Sequence, residues 1–210
     1  RSIMFVRLST SEEQPLNLVG GKAASLIRLH AAGLEVPDGI VLTTQFFERW
    51  IADVEGSEAW QKMIEALVSS TARMPGLEAR ARLGVQCGEI KQSAAQLPLS
   101  DEQRELLAQF SSESTENARY AVRSSSPEED LAGTSFAGLY ESRLGVREEE
   151  IESAIRTCFL SCLDARVLLY KREMNFTNLS PAIAVVVQTQ IPSETAGVAF
   201  SLNPLTNDYD

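Results

Sequence analysis

An apolar run that leads into an arginine constrains this chain more than any other feature. Tyr120, Ala121 and Val122 precede Arg123, which opens the stretch RSSSPEEDLAGTSFAG, residues 123–138. The stretch is poor in core-forming side chains and rich in hydrogen-bond donors. The planar guanidinium fits phosphate oxygens, and serine or threonine hydroxyls with glycine amides can complete an anion cradle. A strand that ends at a bound phosphate group is the first interpretation.

A second interpretation of the same stretch needs no ligand. The arginine can pair with Glu128, Glu129 or Asp130 at the end of its strand. The four residues from Ser126 also fit a helix start, with a serine cap, a proline at the first position and a glutamate that closes the capping box. Taken alone, the stretch leaves both interpretations open.

Gly20, Gly21 and Lys22 form another candidate anion site, at the start of a helix predicted to run to about Ala32. Free amides and the helix dipole favour an anion there, and the lysine adds a point charge. A flexible turn with a solvated lysine fits equally well. The spacing excludes a Walker A loop, in which a serine or threonine that contacts magnesium would replace Ala23.

The third candidate is the end of a predicted strand, residues 182–188. Gln188, Gln190 and Ile191 lie where a strand end can offer polar groups to a flat base. An ordinary strand end whose polar side chains reach water is the alternative. A further strand at residues 197–201 is predicted to form a hairpin with the first one.

The composition excludes several classes of function. The net charge of -10 argues against nucleic-acid binding, which depends on basic patches, but not against a nucleotide. No apolar stretch is long enough for a membrane span, and the first residues do not resemble a signal peptide. The odd set of Cys87, Cys158 and Cys162 predicts reduced, buried thiols and a cytoplasmic location rather than a metal site. His30, the only histidine, has no partner that would make it catalytic.

Periodicity predicts an α+β fold with a helical front part and an antiparallel sheet towards the end. Residues 55–116 are rich in alanine and are predicted to be helical, with breaks at residues 74–76 and 96–100. Ser100 to Gln103 are predicted to form a capping box at the start of the last of these helices. We expect a mostly helical lobe in residues 1–117 and a sheet region in residues 118–210. The missing first methionine and the uncapped end suggest a piece of a longer protein.

Several sequence blocks, in this order, resemble one known family. They are GGKAASL from Gly20, VPDGIVLT from Val36, AVRSS from Ala121, EDL from Glu129, SFAG from Ser135, VQ from Val187 and GVAFSLNPLT from Gly197. The chain resembles the N-terminal ATP-binding domain of phosphoenolpyruvate synthase and pyruvate phosphate dikinase. Rifampin phosphotransferase and prodigiosin-type pyrrole-condensing ligases share this domain. The resemblance implies an ATP-grasp fold, of which this chain is the incomplete N-terminal part.

The resemblance also implies which residues contact ATP. They are Lys22, Arg123, Gly138, Ser142, Gln188, Gln190 and Ile191. The lysine and the arginine would hold the phosphates, the glycine would lend its amide, and the serine stands where the family usually has threonine. The last three would form the hinge that receives adenine.

The function implied by the resemblance belongs to a multidomain phosphotransferase. Such an enzyme splits ATP to AMP and phosphate and passes the β-phosphate, through a histidine on another domain, to an acceptor. The magnesium ligands would follow residue 210, so this piece is expected to lack turnover alone. The triplet Ser-Pro-Glu from Ser126 departs from the usual Ala-Thr-Ala of the synthases. A pyrrole-condensing ligase, an antibiotic phosphotransferase and a non-catalytic module that has lost ATP are the alternatives.

Overall fold

The computed structural model of the chain describes residues 2–69, 76–113, 115, 117–129 and 138–199. The helices are α1 (Leu16–Ala31), α2 (Glu48–Glu55), α3 (Glu58–Ser69), α4 (Leu77–Ala94), α5 (Asp101–Ser112), α6 (Ile151–Ser161) and α7 (Ala165–Glu173). The strands are β1 (Phe5–Arg7), β2 (Gly39–Leu42), β3 (Tyr120–Ser125), β4 (Ser142–Val146) and β5 (Ala184–Thr189). Single turns of 3-10 helix cover Thr44–Phe46 and Glu148–Glu150.

The strands form one antiparallel sheet in the order β1-β2-β5-β3-β4. The central strand is β5, which begins Ala-Val-Val-Val and is buried along almost its whole length. A continuous apolar run of this kind is typical of a strand that is covered on both faces. The predicted α+β class with an antiparallel sheet is therefore confirmed.

The predicted hairpin between residues 182–188 and 197–201 is wrong. The first segment forms β5, but β2 occupies one edge of this strand and β3 the other. No edge of β5 is left to pair with a following strand. Residues 197–199 accordingly have no strand structure, and the rest of that segment lies outside the described residues.

Only part of the strand predicted for residues 136–146 forms. Strand β4 covers Ser142–Val146, and residues 136 and 137 lie outside the described part of the chain. The sheet takes β1 and β2 from before residue 117 and its other strands from after it. The division of the chain at this residue stays a prediction.

The two faces of the sheet support two separate cores. Side chains alternate along β5, so that Ala184 and Val186 pack with α1, whereas Val185 and Val187 join the larger core on the opposite face. That larger core contains residues of helices α2 to α7. Helix α1 thus lies alone over its face of the sheet within the described residues.

An aromatic cluster joins the helical part to α6 in the larger core. Phe47 stacks on Phe159 with 5.7 Å between ring centroids, and Trp50 meets Phe159 edge to face at 5.1 Å. The Trp50 indole donates a hydrogen bond of 2.9 Å to the carbonyl of Pro98. The Arg156 guanidinium lies 4.6 Å from the Trp50 ring centroid, which adds a cation–π contact.

Local signals in the helical region are confirmed. Ser100 caps α5 by accepting a hydrogen bond of 3.2 Å from the Gln103 amide. The Gln103 side chain accepts from the Ser100 amide at 2.7 Å, which completes the predicted capping box.

None of the helices that the structure describes combines the length and the apolar character that a membrane crossing requires.

The cysteines are buried and free, as predicted. Burial raises the pKa of Cys87 to about 11 and the pKa of both Cys158 and Cys162 to about 12. Thiols with such pKa values stay protonated near neutral pH, so they act as small apolar side chains.

Replacement of Phe159 by alanine should lower the free energy of unfolding by about 3–5 kcal/mol, because it removes a fully buried ring from the aromatic cluster. Chemical denaturation followed by tryptophan fluorescence measures this change. Leu144→Ala is the control, since Leu144 is 69% exposed and its loss should cost less than about 0.5 kcal/mol. Equal losses in both variants would contradict this packing.

Candidate functional site

A break in α1 forms one wall of the site. Gly20 has φ 72° and ψ 168°, which is not helical, so the regular helix starts again at Gly21. A Cβ atom at Gly20 would lie 2.0 Å from the Ser125 carbonyl oxygen. Because no side chain fits there and the φ angle is left-handed, this close approach of α1 to β3 requires glycine.

The Ser125 side chain joins the broken helix to the end of β3. Its hydroxyl donates a hydrogen bond of 2.7 Å to the Val19 carbonyl and accepts one of 3.1 Å from the Ala23 amide. The serine is fully buried, so these bonds are protected from water. They satisfy one carbonyl before the break and one amide in the first turn after it. The predicted helix start at Gly20-Gly21-Lys22 therefore exists, but as a restart inside a longer helix.

Lys22 points from this restarted helix towards the turn after β3. Its Nζ atom lies 2.6 Å from Glu129 Oε1 and 3.2 Å from the Ser124 carbonyl oxygen. The Lys22 side chain is 33% exposed and the Glu129 side chain 14% exposed. The lysine is therefore half-buried and ion-paired, which differs from the freely solvated lysine of the simple-turn interpretation.

Arg123 faces the same side of the sheet as α1. It is paired with Val186 in β5 and with Ser142 in β4. Directly paired residues share a face, and Val186 packs against α1, so Arg123 and Ser142 lie on the α1 side. Both are exposed.

The salt bridges expected for Arg123 do not form within the described residues. Glu129 pairs with Lys22 instead, and Glu128 pairs with Lys171 at 2.7 Å. Asp130 lies outside the described residues. Among the described residues Arg123 has no acidic partner within 4.0 Å, so its guanidinium can bind an external anion.

A groove of about 590 Å³ opens between the restarted helix and β3. It is lined by Leu16, Gly21, Lys22, Ser25, Leu26, Arg28 and Arg123. The lining contains cations from both walls and no aspartate or glutamate among the described residues. In a chain with a net charge of -10, this groove is a local cationic site suited to a ligand with several negative charges.

Buried polar groups anchor the turn that carries Glu129. Ser126 Oγ donates to the Ala182 carbonyl at 2.9 Å and accepts from the Glu128 amide at 3.2 Å. Lys171, only 1% exposed, binds both Glu128 and the Ser180 carbonyl at 2.7 Å. Burial raises the pKa of Glu128, and the nearby Lys171 opposes that rise. Sequence reasoning missed Lys171, because its helix shows no local sign that a lysine is buried.

Gly138 and Ser142 lie on the chain segment that enters β4. Gly138 has φ 74°, a left-handed conformation that glycine adopts without strain. Ser142 stands opposite Arg123 in the strand register. The serine therefore shares a face with the groove cations, whereas the phosphate contact assigned to each residue stays a prediction.

The predicted adenine hinge lies at the end of β5 and just after it. Gln188 is 7% exposed, and its side-chain amide donates to the Pro37 carbonyl at 3.0 Å. Gln190 accepts a hydrogen bond of 2.6 Å from the Gly145 amide through its side chain. Ile191 is 59% exposed and lines a different groove of about 310 Å³ beside Thr189. The structure thus brings Lys22 and Arg123 into one groove but does not bring Ile191 into it.

The described residues do not provide a metal site. They contain no group of three or more His, Cys, Asp and Glu side chains that could hold an ion. In the turn at residues 126–129, Lys22 and Lys171 each form an ion pair with one glutamate, so these carboxylates are already neutralised. Magnesium ligands beyond residue 210 stay a prediction.

Comparisons with known proteins point to one family. Residues 16–210 match the family model described as pyruvate phosphate dikinase, AMP/ATP-binding domain. An uncharacterized phosphotransferase YvkC of Bacillus subtilis (strain 168) is 34% identical over 207 residues, which are 98% of this chain and 22% of that protein. A probable phosphoenolpyruvate synthase of Methanothermobacter thermautotrophicus is 31% identical over 195 residues, 92% of this chain and 28% of that protein.

A rifampicin phosphotransferase of Bacillus cereus is similar to the same extent. It is 31% identical over 199 residues, which are 94% of this chain and 22% of that protein. The chain therefore spans about a quarter of the length of these relatives.

Replacement of Gly20 by alanine should lower the free energy of unfolding by at least about 2 kcal/mol, because the methyl group meets the Ser125 carbonyl and the φ angle is strained. Chemical denaturation measures the loss. Gly84→Ala in α4 is the matched control, since no atom lies within 4 Å of its added Cβ. The control should be neutral or more stable by about 0.5–1 kcal/mol. Equal responses of the two variants would refute the close approach.

Proposed function

The chain belongs to the family of the pyruvate phosphate dikinase AMP/ATP-binding domain, and from that premise we propose that it forms the ATP-binding part of a phosphotransferase. The groove between α1 and β3 is the observation that carries this proposal. It combines Lys22 and Arg123 on a surface with no described acidic lining. A nucleoside triphosphate supplies the concentrated negative charge that such a surface binds.

Lys22 and Arg123 would bind the phosphates of ATP. Phosphoryl transfer depends mainly on positioning and on neutralisation of charge. The Lys22 ammonium is a compact point charge, whereas the Arg123 fork can bind two phosphate oxygens at once. Each side chain projects from a different wall, so the two cations can hold the phosphates between them.

Gly138 and Ser142 would complete the phosphate contacts. The left-handed turn at Gly138 leaves no side chain to cover its amide, and amides in such turns bind anions. The Ser142 hydroxyl lies on the same sheet face as Arg123 and can donate one hydrogen bond.

Gln188, Gln190 and Ile191 would receive the adenine. In the chain these residues follow Val186, which lies in β5 and is paired with Arg123. An extended chain advances about 13 Å from position 186 to position 190. This advance is comparable to the reach from phosphates to base in an extended nucleotide. The base would therefore lie towards the C-terminal end of β5.

The complete reaction would require parts of the polypeptide beyond this chain. ATP would be split to AMP and phosphate, and the β-phosphate would pass through a histidine on another domain to an acceptor. Magnesium, held by later residues, would supply further neutralisation of the phosphates. The buried, protonated thiols support a cytoplasmic location.

An antibiotic phosphotransferase is the second candidate, because relatives named rifampicin phosphotransferase are 29–31% identical to this chain. A pyrrole-condensing ligase, in which the same domain would activate one substrate by phosphate transfer before a condensation, is not separated from these candidates by the residues of this chain. A non-catalytic module is disfavoured by the retained Lys22 and Arg123. Incubation of the intact protein with ATP and either pyruvate or rifampicin, with detection of AMP and the phosphorylated acceptor, separates the first two candidates.

Lys22→Ala and Arg123→Ala should each weaken ATP binding by roughly 1–3 kcal/mol, because each removes a charge-assisted hydrogen bond. Isothermal titration calorimetry on the intact protein that contains this chain measures the affinity. Arg82→Ala is the control, because Arg82 lies on α4, whose buried residues pack in the core on the opposite face of the sheet from α1. If the parent protein has no measurable affinity for ATP, the proposed function fails.

A further inference from the structure

We propose that Glu129 determines nucleotide affinity by competing with phosphate for Lys22. Its carboxylate binds the ammonium while no nucleotide is present and gives up this contact when a phosphate of ATP replaces it on Lys22. The proposal rests on the proposed function, because it concerns the same groove and its ATP. Neither the comparisons nor the family resemblance assigned a role to Glu129.

The Lys22 ammonium is already engaged on the protein side. It has three N–H donors. One is directed to Glu129 Oε1 at 2.6 Å and another to the Ser124 carbonyl at 3.2 Å. A phosphate group that needs more than one donor from Lys22 must therefore displace one of these acceptors. The carboxylate can move away, whereas the Ser124 carbonyl is part of strand β3.

The backbone of Glu129 is held in place by the turn, so that only its side chain has to move when it releases Lys22. Its backbone amide donates to the Ser126 carbonyl at 3.2 Å. Ser126 is in turn fixed to Ala182, and Glu128 to the buried Lys171. The carboxylate therefore meets each incoming ligand from a defined position.

The position of Glu129 is not fully favourable for its carboxylate. Its Oε2 atom is buried and has no hydrogen-bond partner among the described residues. A buried carboxylate oxygen without a donor costs free energy that is regained when it reaches water. An exchange that exposes this oxygen to water would therefore regain that free energy.

Charge favours competition over a simple positioning role. A carboxylate next to the phosphates of ATP repels them, and at 14% exposure this repulsion is only weakly screened by salt. If Glu129 only positioned Lys22, it would orient an ammonium group that the Ser124 carbonyl already orients. The repulsion acts on several phosphate charges, so it outweighs this gain in orientation.

The exchange would also discriminate between nucleotides. A ligand with several phosphates can replace the carboxylate, whereas adenosine offers nothing that binds Lys22. Once phosphate groups have left, the Lys22–Glu129 ion pair can form again. Glu129 thus weakens the hold on a nucleotide that has lost its terminal phosphates.

Glu129→Gln in the intact protein tests the proposal. The amide keeps the shape and removes the charge, so ATP should bind about tenfold tighter, equivalent to about 1.4 kcal/mol. The affinity for adenosine should stay within about twofold, because it carries no phosphate. Calorimetry with each ligand measures these affinities. Thermal unfolding without ligand should show a lower Tm for the variant, because the ion pair with Lys22 is lost. A merely structural residue would lower both stability and ATP affinity.

Two further variants control the experiment. Glu141→Gln makes the same change in net charge at an exposed residue next to β4 and should alter ATP affinity by less than about twofold. Glu129→Asp keeps the charge but shortens the side chain, so its ATP affinity should fall between parent and Glu129→Gln. This variant also provides the answer if the glutamine variant does not fold.

Weaker or unchanged ATP binding in Glu129→Gln would overturn the inference while leaving the proposed function intact, provided that the parent binds ATP. Equal tightening in Glu141→Gln would overturn it too, because the effect would then be general electrostatics. A parent protein that does not bind ATP would refute the proposed function and the inference together.

Discussion

The site depends on the contact between the break in α1 and the end of β3. Gly20 lets the two backbones approach, and the Ser125 hydroxyl then bridges the Val19 carbonyl and the Ala23 amide. This contact brings Lys22 beside the strand that carries Arg123, so that cations from distant parts of the sequence share one groove. Without the approach, the helix would lie further from the sheet and its lysine could not reach the Ser124 carbonyl.

The two glutamates of the turn after β3 have different roles. Glu128 points to the buried Lys171 and anchors the turn, whereas Glu129 points to Lys22 at the edge of the groove. Arg123 takes part in neither described pair and faces the groove. A strongly acidic chain thereby keeps a cationic groove, because the described carboxylates of this turn are paired with Lys171 and Lys22.

Elements with a local cause could be predicted from the sequence. The capping box at Ser100 and Gln103 satisfies amides within one turn, and the apolar run of β5 needs cover on both faces. The hairpin prediction for residues 197–201 failed because strand pairing is a choice between distant segments. Strands β2 and β3, far away in the sequence, compete more successfully for the edges of β5.

The sequence by itself indicated the residue types of the site: two glycines and a lysine at a helix start, and an arginine that follows an apolar run. Local backbone chemistry suffices for those conclusions. Only the tertiary structure decided that Lys22 pairs with Glu129, 107 residues away, and that Arg123 lines the same groove as Lys22. Partner choice among several nearby carboxylates depends on distances and burial, which arise only when the helix packs on the sheet.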